Sequence, residues 1–266
     1  MKSVLITGAT DGIGRASAQI LHERGWRVLV HGRTKRKAQY SAGTIDRDEQ
    51  RVIPVWGNFE SMDEVRQLAT QVHARVTALD ALLNNAGIYP AQRKISVDGF
   101  ELTMAVNHFA PFLLTNRLEE LLTAAPSGRV VTVSSMTHSG VSLNMDDLLL
   151  ERGWDSYSAY ATSKLANILF TRRLAENLRK TRVTANSLHP GVVATKLLRA
   201  GFGNGGASIE DGAKTSVYLV DDKRVAGVTG KYFVDCREQR SSKNSLESRL
   251  AQELWERSME LLLHYL

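Results

Sequence analysis

Val4-Leu5-Ile6-Thr7-Gly8-Ala9-Thr10-Asp11-Gly12-Ile13-Gly14 is the stretch on which the fold turns. Its three leading apolar residues predict a short buried strand, and the residues after the glycines carry a helical pattern to about residue 23. Between them, glycines at 8, 12 and 14 give the spacing GxxxGxG. Glycine lets a chain turn sharply and approach a pyrophosphate, whose charge meets the free N–H groups at a helix start. The phosphate-loop pattern GxxxxGK[ST] is missing, and with it the lysine an NTPase needs at the terminal phosphates. Gly8, Asp11, Gly12, Ile13 and Gly14 therefore become candidate dinucleotide contacts.

The same alternation continues along the chain. Strands are expected at 28–31, 52–56, 81–83, 129–133, 183–188 and 231–234. Helices are expected at 62–76, 101–122, 157–179, 208–220 and 246–263, with Pro111 bending or interrupting the second of these. The polar stretch from 32 to 51 has no clear period. Strands without polar alternation are covered on both faces, so the pattern predicts a parallel sheet between two helical layers. The expected class is α/β, a single doubly wound Rossmann domain over 1–266 with about seven central strands. The glycine-rich piece 201–206 reads either as a flexible connection or as part of a substrate lid spanning about 193–208.

Composition narrows the function classes. A chain of 266 residues can bury roughly three-quarters of its unfolded surface, so it needs no staple. Cys236 is its one cysteine, which rules out an intrachain disulfide and a cysteine-held metal cluster. Thirty-four basic against 28 acidic residues leave +6, suited to a soluble protein and no nucleic-acid signature by itself. The basic runs 33–36 and 237–243 read as solvated surface. No targeting segment and no 18-residue apolar run is visible. The expectation is a cytoplasmic protein with no membrane span, no nucleic-acid partner and no metal.

A dinucleotide's second address lies at the end of strand two. An acidic residue there would bind the ribose hydroxyls and repel a 2′-phosphate. The chain instead has His31-Gly32-Arg33-Thr34. Arg33 can pair bidentately with a phosphate, which favours NADP(H) over NAD(H).

Tyr160 and Lys164 lie four apart in a predicted helix and share a face. An ammonium beside a phenol favours phenolate, moving the tyrosine pKa toward a value useful for proton transfer. With them stand Asn84-Asn85-Ala86-Gly87 after strand four, Asn107, Ser134-Ser135 after strand five and His189-Pro190-Gly191 after strand six. In this company the chain resembles the short-chain dehydrogenase/reductase family over essentially its whole length. The resemblance implies a cofactor held by the glycine turn and by Asn85, Ala86 and Gly87. It implies an active site of Asn107, Ser135, Tyr160 and Lys164, with Tyr160 and Lys164 also touching the cofactor. Ser134 is the alternative serine or a support for Ser135. Pro190, Gly191, Val193 and Thr195 match the family's cofactor-amide or phosphate turn, and Asn58 and Phe59 stand where the family often has Asp-Leu at the adenine pocket. His108 and His189 read as structural, and Tyr157 lacks a lysine four residues on, where Ala161 stands.

Twenty-four residues separate Ser135 from Tyr160, more than in typical bacterial members of the family. The added segment around Leu143-Asn144-Met145-Asp146-Asp147-Leu148 resembles the insertion of retinol-dehydrogenase-like reductases. That group implies a bulky apolar ketone, aldehyde or alcohol as the small-molecule substrate. Its N-terminal anchor is not seen here. The family also implies a homodimer paired through 101–122 and 157–179, unless the added segment covers that surface. The leading expectation is an NADP-dependent oxidoreductase of a carbonyl/alcohol pair. A redox-silent dinucleotide-binding protein and epimerase or double-bond-reducing chemistry are the alternatives.

Overall fold

The computed structural model describes residues 1–48 and 50–266. Successive residues of its short apolar strands point to opposite faces, and both faces are covered. In β1 (Ser3–Ile6), Val4 and Ile6 enter one apolar cluster and Leu5 the other; in β2 (Arg27–Gly32), Val28 and Val30 oppose Leu29 in the same way. The remaining strands are β3 (Val52–Trp56), β4 (Ala81–Asn84), β5 (Arg129–Val133), β6 (Thr184–His189), β7 (Tyr232–Val234) and β8 (Arg237–Gln239). They form one sheet in the order β3-β2-β1-β4-β5-β6-β7-β8, parallel except for the antiparallel β7–β8 pair. Leu5 sits between Leu29 and Leu82 in register. The order reverses between β1 and β4, where a doubly wound sheet opens a crevice beyond its strand ends.

One helical layer holds α1 (Gly12–Glu23), α2 (Lys35–Ile45) and α9 (Ile209–Asp221). The other holds α3 (Met62–His73), α5 (Ala110–Arg117), α7 (Ser156–Asn177) and α10 (Ser248–Leu261). Asp11, Thr34, Ser61, Asp155 and Ser208 cap α1, α2, α3, α7 and α9 through their side chains, which fixes where each helix begins.

Four details depart from the sequence expectation. The polar stretch after β2 forms α2, whose inward face is only Ala38, Ser41 and Ala42, too small to register as an apolar period. The helix expected at 101–122 is divided into α4 (Leu102–Met104), a wide turn at Ala105–Phe109, α5 and α6 (Glu119–Ala124). In the wide turn Ala110 N–H reaches back five residues to the Ala105 carbonyl; Pro111 has no N–H to give Asn107. An eighth strand, β8, joins the seven expected, through a two-residue turn at Asp235 and Cys236, both with positive φ (47° and 60°). Gly201 ends α8 (Lys196–Gly201) rather than opening a loop, and a Val193–Ala207 bridge closes this segment on itself.

The face expected to pair two copies is covered from within the chain. Trp255 of α10 packs against Phe112 of α5 (4.7 Å between ring centroids) and Phe170 of α7 (6.0 Å). The added segment joins the same apolar cluster. Its Leu143 and Leu148 are buried, and Trp154 Nε1 donates to the buried Glu101 carboxylate at 3.0 Å, just before α4. Among the described residues no helix is long and apolar enough to cross a membrane, and no His/Cys/Asp/Glu group could hold a metal ion.

Candidate active site

The site is built where β1 and β4 end. Thr7 N–H donates to the Leu83 carbonyl, and Thr7 Oγ1 accepts from the N–H groups of Asn85 (2.9 Å) and Ala86 (3.0 Å). Asn85 Nδ2 returns a bond to the Thr7 carbonyl at 2.8 Å. The glycine turn and the Asn-Asn-Ala-Gly turn are thus one unit. Gly8 has φ +66°, and any Cβ at Gly14 would collide with the Gly8 carbonyl and the Asn85 amide. Asp11 Oδ1 caps α1 at the Gly12 N–H, and Oδ2 pairs with Lys196 at the start of α8. Thr195 caps α8, and its methyl lies close to where a Cβ of Gly12 would stand.

At the end of β2 the side chain nearest the turn is His31, which the sequence reading passed over. Gly8 N–H donates to its Nδ1 at 3.1 Å, and its Nε2 lies 2.9 Å from the Gly57 carbonyl. A backbone amide only donates, so the ring is neutral with its proton on Nε2. Burial lowers its pKa to about 4. Phe59 stacks on the ring at 4.7 Å. Asn58 shapes the adjoining bend: Oδ1 accepts from Glu60 N–H, and Asn58 N–H donates to Glu64. Arg33 extends from the same end, largely exposed, with Glu60 at 3.8 Å.

A cavity of about 890 Å³ runs from these residues across the strand ends to Ser135, Tyr160 and Lys164. Gly87, Pro190, Gly191, Val193 and Thr195 line it too. Ser134 Oγ donates to the Lys164 carbonyl at 2.7 Å, so Ser134 braces α7 and Ser135 faces the cavity. Asn107, within the wide turn, binds both backbone groups of Ile88 (2.8 and 3.1 Å) and the Ser163 hydroxyl (2.9 Å). A Cβ on Gly87 would stand 3.4 Å from Asn107 Oδ1 and 3.5 Å from Lys164 Nζ, which brings all three together. His108 lies outside the cavity and bonds Ser258. His189 lines the cavity, with burial lowering its pKa to about 4. The aromatic wall went unread: Tyr89 and Phe202 stand 5.3 and 5.8 Å from the Tyr160 ring. Their sequence signal was faint, an aromatic just beyond each of two glycine-bearing turns.

The electrostatics correct one expectation. Burial pushes the Tyr160 phenol up, partly offset by the Ser135 hydroxyl, rather than Lys164 pulling it down. Lys164 Nζ lies 5.4 Å from the ring centroid and donates to the Val133 carbonyl at 3.0 Å. Its own pKa falls to about 8 because it is buried. A buried ammonium with one backbone acceptor is costly in an ordinary core and marks a functional site.

The short chain dehydrogenase family model matches residues 2–202, well over half of the 266. The chain belongs to the short-chain dehydrogenase family. Within it the chain stands with the retinol-dehydrogenase-like members. It is 37% identical to retinol dehydrogenase 14 of Homo sapiens, over 96% of this chain and 84% of that protein. Identity to polyprenol dehydrogenase of Homo sapiens is 34%, over 97% and 84%. A crystal structure of a Mycobacterium paratuberculosis protein superposes with a TM-score of 0.82 at 30% identity, covering 98% of this chain and 93% of the other. A short chain dehydrogenase of Escherichia coli CFT073, solved with NADPH, gives 0.70 at 25% identity, over 89% and 97%. Family membership makes the chain an oxidoreductase that binds a nicotinamide dinucleotide and acts on a small molecule.

Proposed function

We propose that the chain is an NADP(H)-dependent reductase of a bulky apolar ketone or aldehyde. One observation carries the reading: Ser135, Tyr160 and Lys164 line a single cavity that continues to the glycine turn. The residues fit the cofactor. The cradle at Gly8 and Gly14 admits no side chain, and Lys164 keeps donors beyond the one given to Val133. The Gly8–Gly14 turn with Asn85, Ala86 and Gly87 would hold the pyrophosphate side, and Lys164 the nicotinamide ribose. Pro190, Gly191, Val193 and Thr195 would border the amide. Arg33 would take the 2′-phosphate, with Asn58 and Phe59 beside the adenine. When bound, the cofactor supplies hydride at its nicotinamide ring.

Tyr160 gives the proton to the substrate oxygen. Burial keeps its phenol protonated, which is the donating form and favours the reducing direction. Ser135 hydrogen-bonds the same oxygen and orients it. Lys164, close to neutrality in proton affinity, supports reprotonation of the tyrosine. Asn107 fixes Ile88 and Ser163 beside them. Tyr89 and Phe202 supply apolar contact for the body of the substrate.

NADPH oxidation over a panel of apolar ketones and aldehydes tests this. Tyr160→Phe should lower turnover by roughly 10²–10⁴-fold and leave NADPH affinity unchanged. Near-wild-type turnover in that variant, with a deuteride isotope effect on the rate, would remove Tyr160 as the acid. An inactive wild type that still binds NADPH would favour a redox-silent dinucleotide-binding protein. Titration with both cofactors tests the phosphate reading. Arg33→Ala should weaken NADPH by about 1–2 kcal/mol and NADH hardly at all.

A further inference from the structure

Ser135 follows β5 by two residues and lines the same cavity as Tyr160. Its backbone is gripped from the far side by a residue that the reaction does not touch. His138 Nδ1 lies 2.6 Å from the Ser135 carbonyl, and Ser242 N–H donates to His138 Nε2 at 3.1 Å. Since the Ser242 amide can only donate, Nε2 accepts, and the ring proton sits on Nδ1, aimed at Ser135. The ring is 2% exposed and stands edge-on to Tyr232 at 5.1 Å. The anchoring segment is itself fastened. Asn244 Nδ2 donates to the Val141 carbonyl at 3.0 Å, and Ser245 Oγ donates to the Ser242 carbonyl at 2.7 Å. The short turn Met136–Gly140 is thus tied to residues about a hundred positions later at its centre, His138, and just past its end, at Val141.

We propose that His138 is a positioning residue: its Nδ1–H ties the Ser135 peptide to the Ser242 segment and so sets how the Ser135 hydroxyl meets Tyr160. The inference rests on the reading of Ser135 and Tyr160 as the proton-transfer pair. A histidine that merely filled space would need neither nitrogen bonded. Here both are, and one bond ends on the peptide of the serine itself.

The test compares His138→Asn, whose amide N–H can take the place of Nδ1–H, with His138→Leu, which keeps bulk but donates nothing. Ser135→Ala is the comparator. The readouts are kcat, KM and NADPH affinity, together with the Cζ resonance of Tyr160 in protein carrying [ζ-¹³C]tyrosine, assigned by its loss in Tyr160→Phe. His138→Leu should move that resonance in the same direction as Ser135→Ala. It should lower kcat by about 10- to 100-fold, the scale of a small misplacement at a reacting centre. NADPH affinity should stay within about twofold. His138→Asn should keep the resonance and hold kcat within about threefold. If His138→Leu does not fold, His138→Gln replaces it: its longer amide is directed toward the Ser242 side and leaves the Ser135 carbonyl only the weaker backbone N–H of residue 138, at 3.3 Å. An unmoved resonance and unchanged kcat in the donor-less variant overturn the proposal, as does an equal loss in His138→Asn. Should the wild type reduce no carbonyl, the proposed function falls, and the Tyr160 resonance still decides the role of His138.

Discussion

His31 spends both ring nitrogens on backbone, one on Gly8 and one on Gly57, so the glycine turn depends on its staying neutral. An unfolded imidazole binds its proton near pH 6.5 and this one near pH 4. Between those values the unfolded state holds more protons, so stability falls as pH falls and levels off below about 4. Each such ring contributes about 1.4 kcal/mol per pH unit across its window. His108, lowered to about 3 by burial, extends the window downward. Denaturant unfolding from pH 7 to pH 4 should show the decline, and His31→Gln should make it shallower by one ring's share, since His108 and His189 still contribute. A slope unchanged by His31→Gln would refute the assignment. Tyr160 and Lys164 teach the complementary point. Their spacing places them on one helix face from sequence alone, but the direction of the Tyr160 shift comes from burial, which no local spacing reveals.

The element that joins the two halves of the cavity is α8. Its first residue pairs with Asp11 at the glycine turn, and Phe202, just past its last, packs on Tyr89 and Tyr160. The exposed Asp11–Lys196 pair contributes little to stability, since such pairs give about 0–1 kcal/mol. The Phe202 end is the proposed wall for the substrate. Phe202→Ala should lower kcat/KM for apolar carbonyls by about tenfold, the worth of one aromatic contact, and leave NADPH affinity unchanged. Equal losses for small and bulky substrates would argue against the wall. The segment's glycines predicted a loop from residue 201; the helix that Gly201 ends was not legible, because no residue of it is fully buried and its pattern carries no period. Strand β8 was hidden for a similar reason. Arg237, Glu238 and Gln239 are all exposed, and the strand is held by pairing with β7 rather than by an apolar face.

At the scale of the whole molecule, α10 decides how the apolar faces of α5 and α7 are satisfied. Its Ala251 and Leu254 are buried, and Trp255 fits between Phe112 and Phe170. Arg117 of α5 also donates to the carbonyl of Leu266 at 2.7 Å. A second copy using that face would have to displace the helix. Light scattering over a concentration series should therefore give no dimer built on α5 and α7. Trp255→Ala should lower stability by about 2 kcal/mol, less than a fully buried tryptophan because Trp255 is half-buried. A Trp255→Ala variant that unfolds at the wild-type denaturant concentration would show that α10 adds little to this core.

What the sequence by itself determined is whatever local chemistry compels. Apolar runs with no polar alternation demand cover on both faces, and the glycines of the first turn demand a backbone that side-chain-bearing residues cannot follow. Serine, tyrosine and lysine types at their spacings single out the strand end and helix face that meet at one cavity. Tertiary structure alone decided the rest. The neutral state of His31, the raised phenol of Tyr160, the grip of His138 on Ser135 and the covering of α5 and α7 by α10 all join residues distant in the chain. Burial and hydrogen-bond partners set each of these, and both are properties of neighbours that only the folded chain brings together.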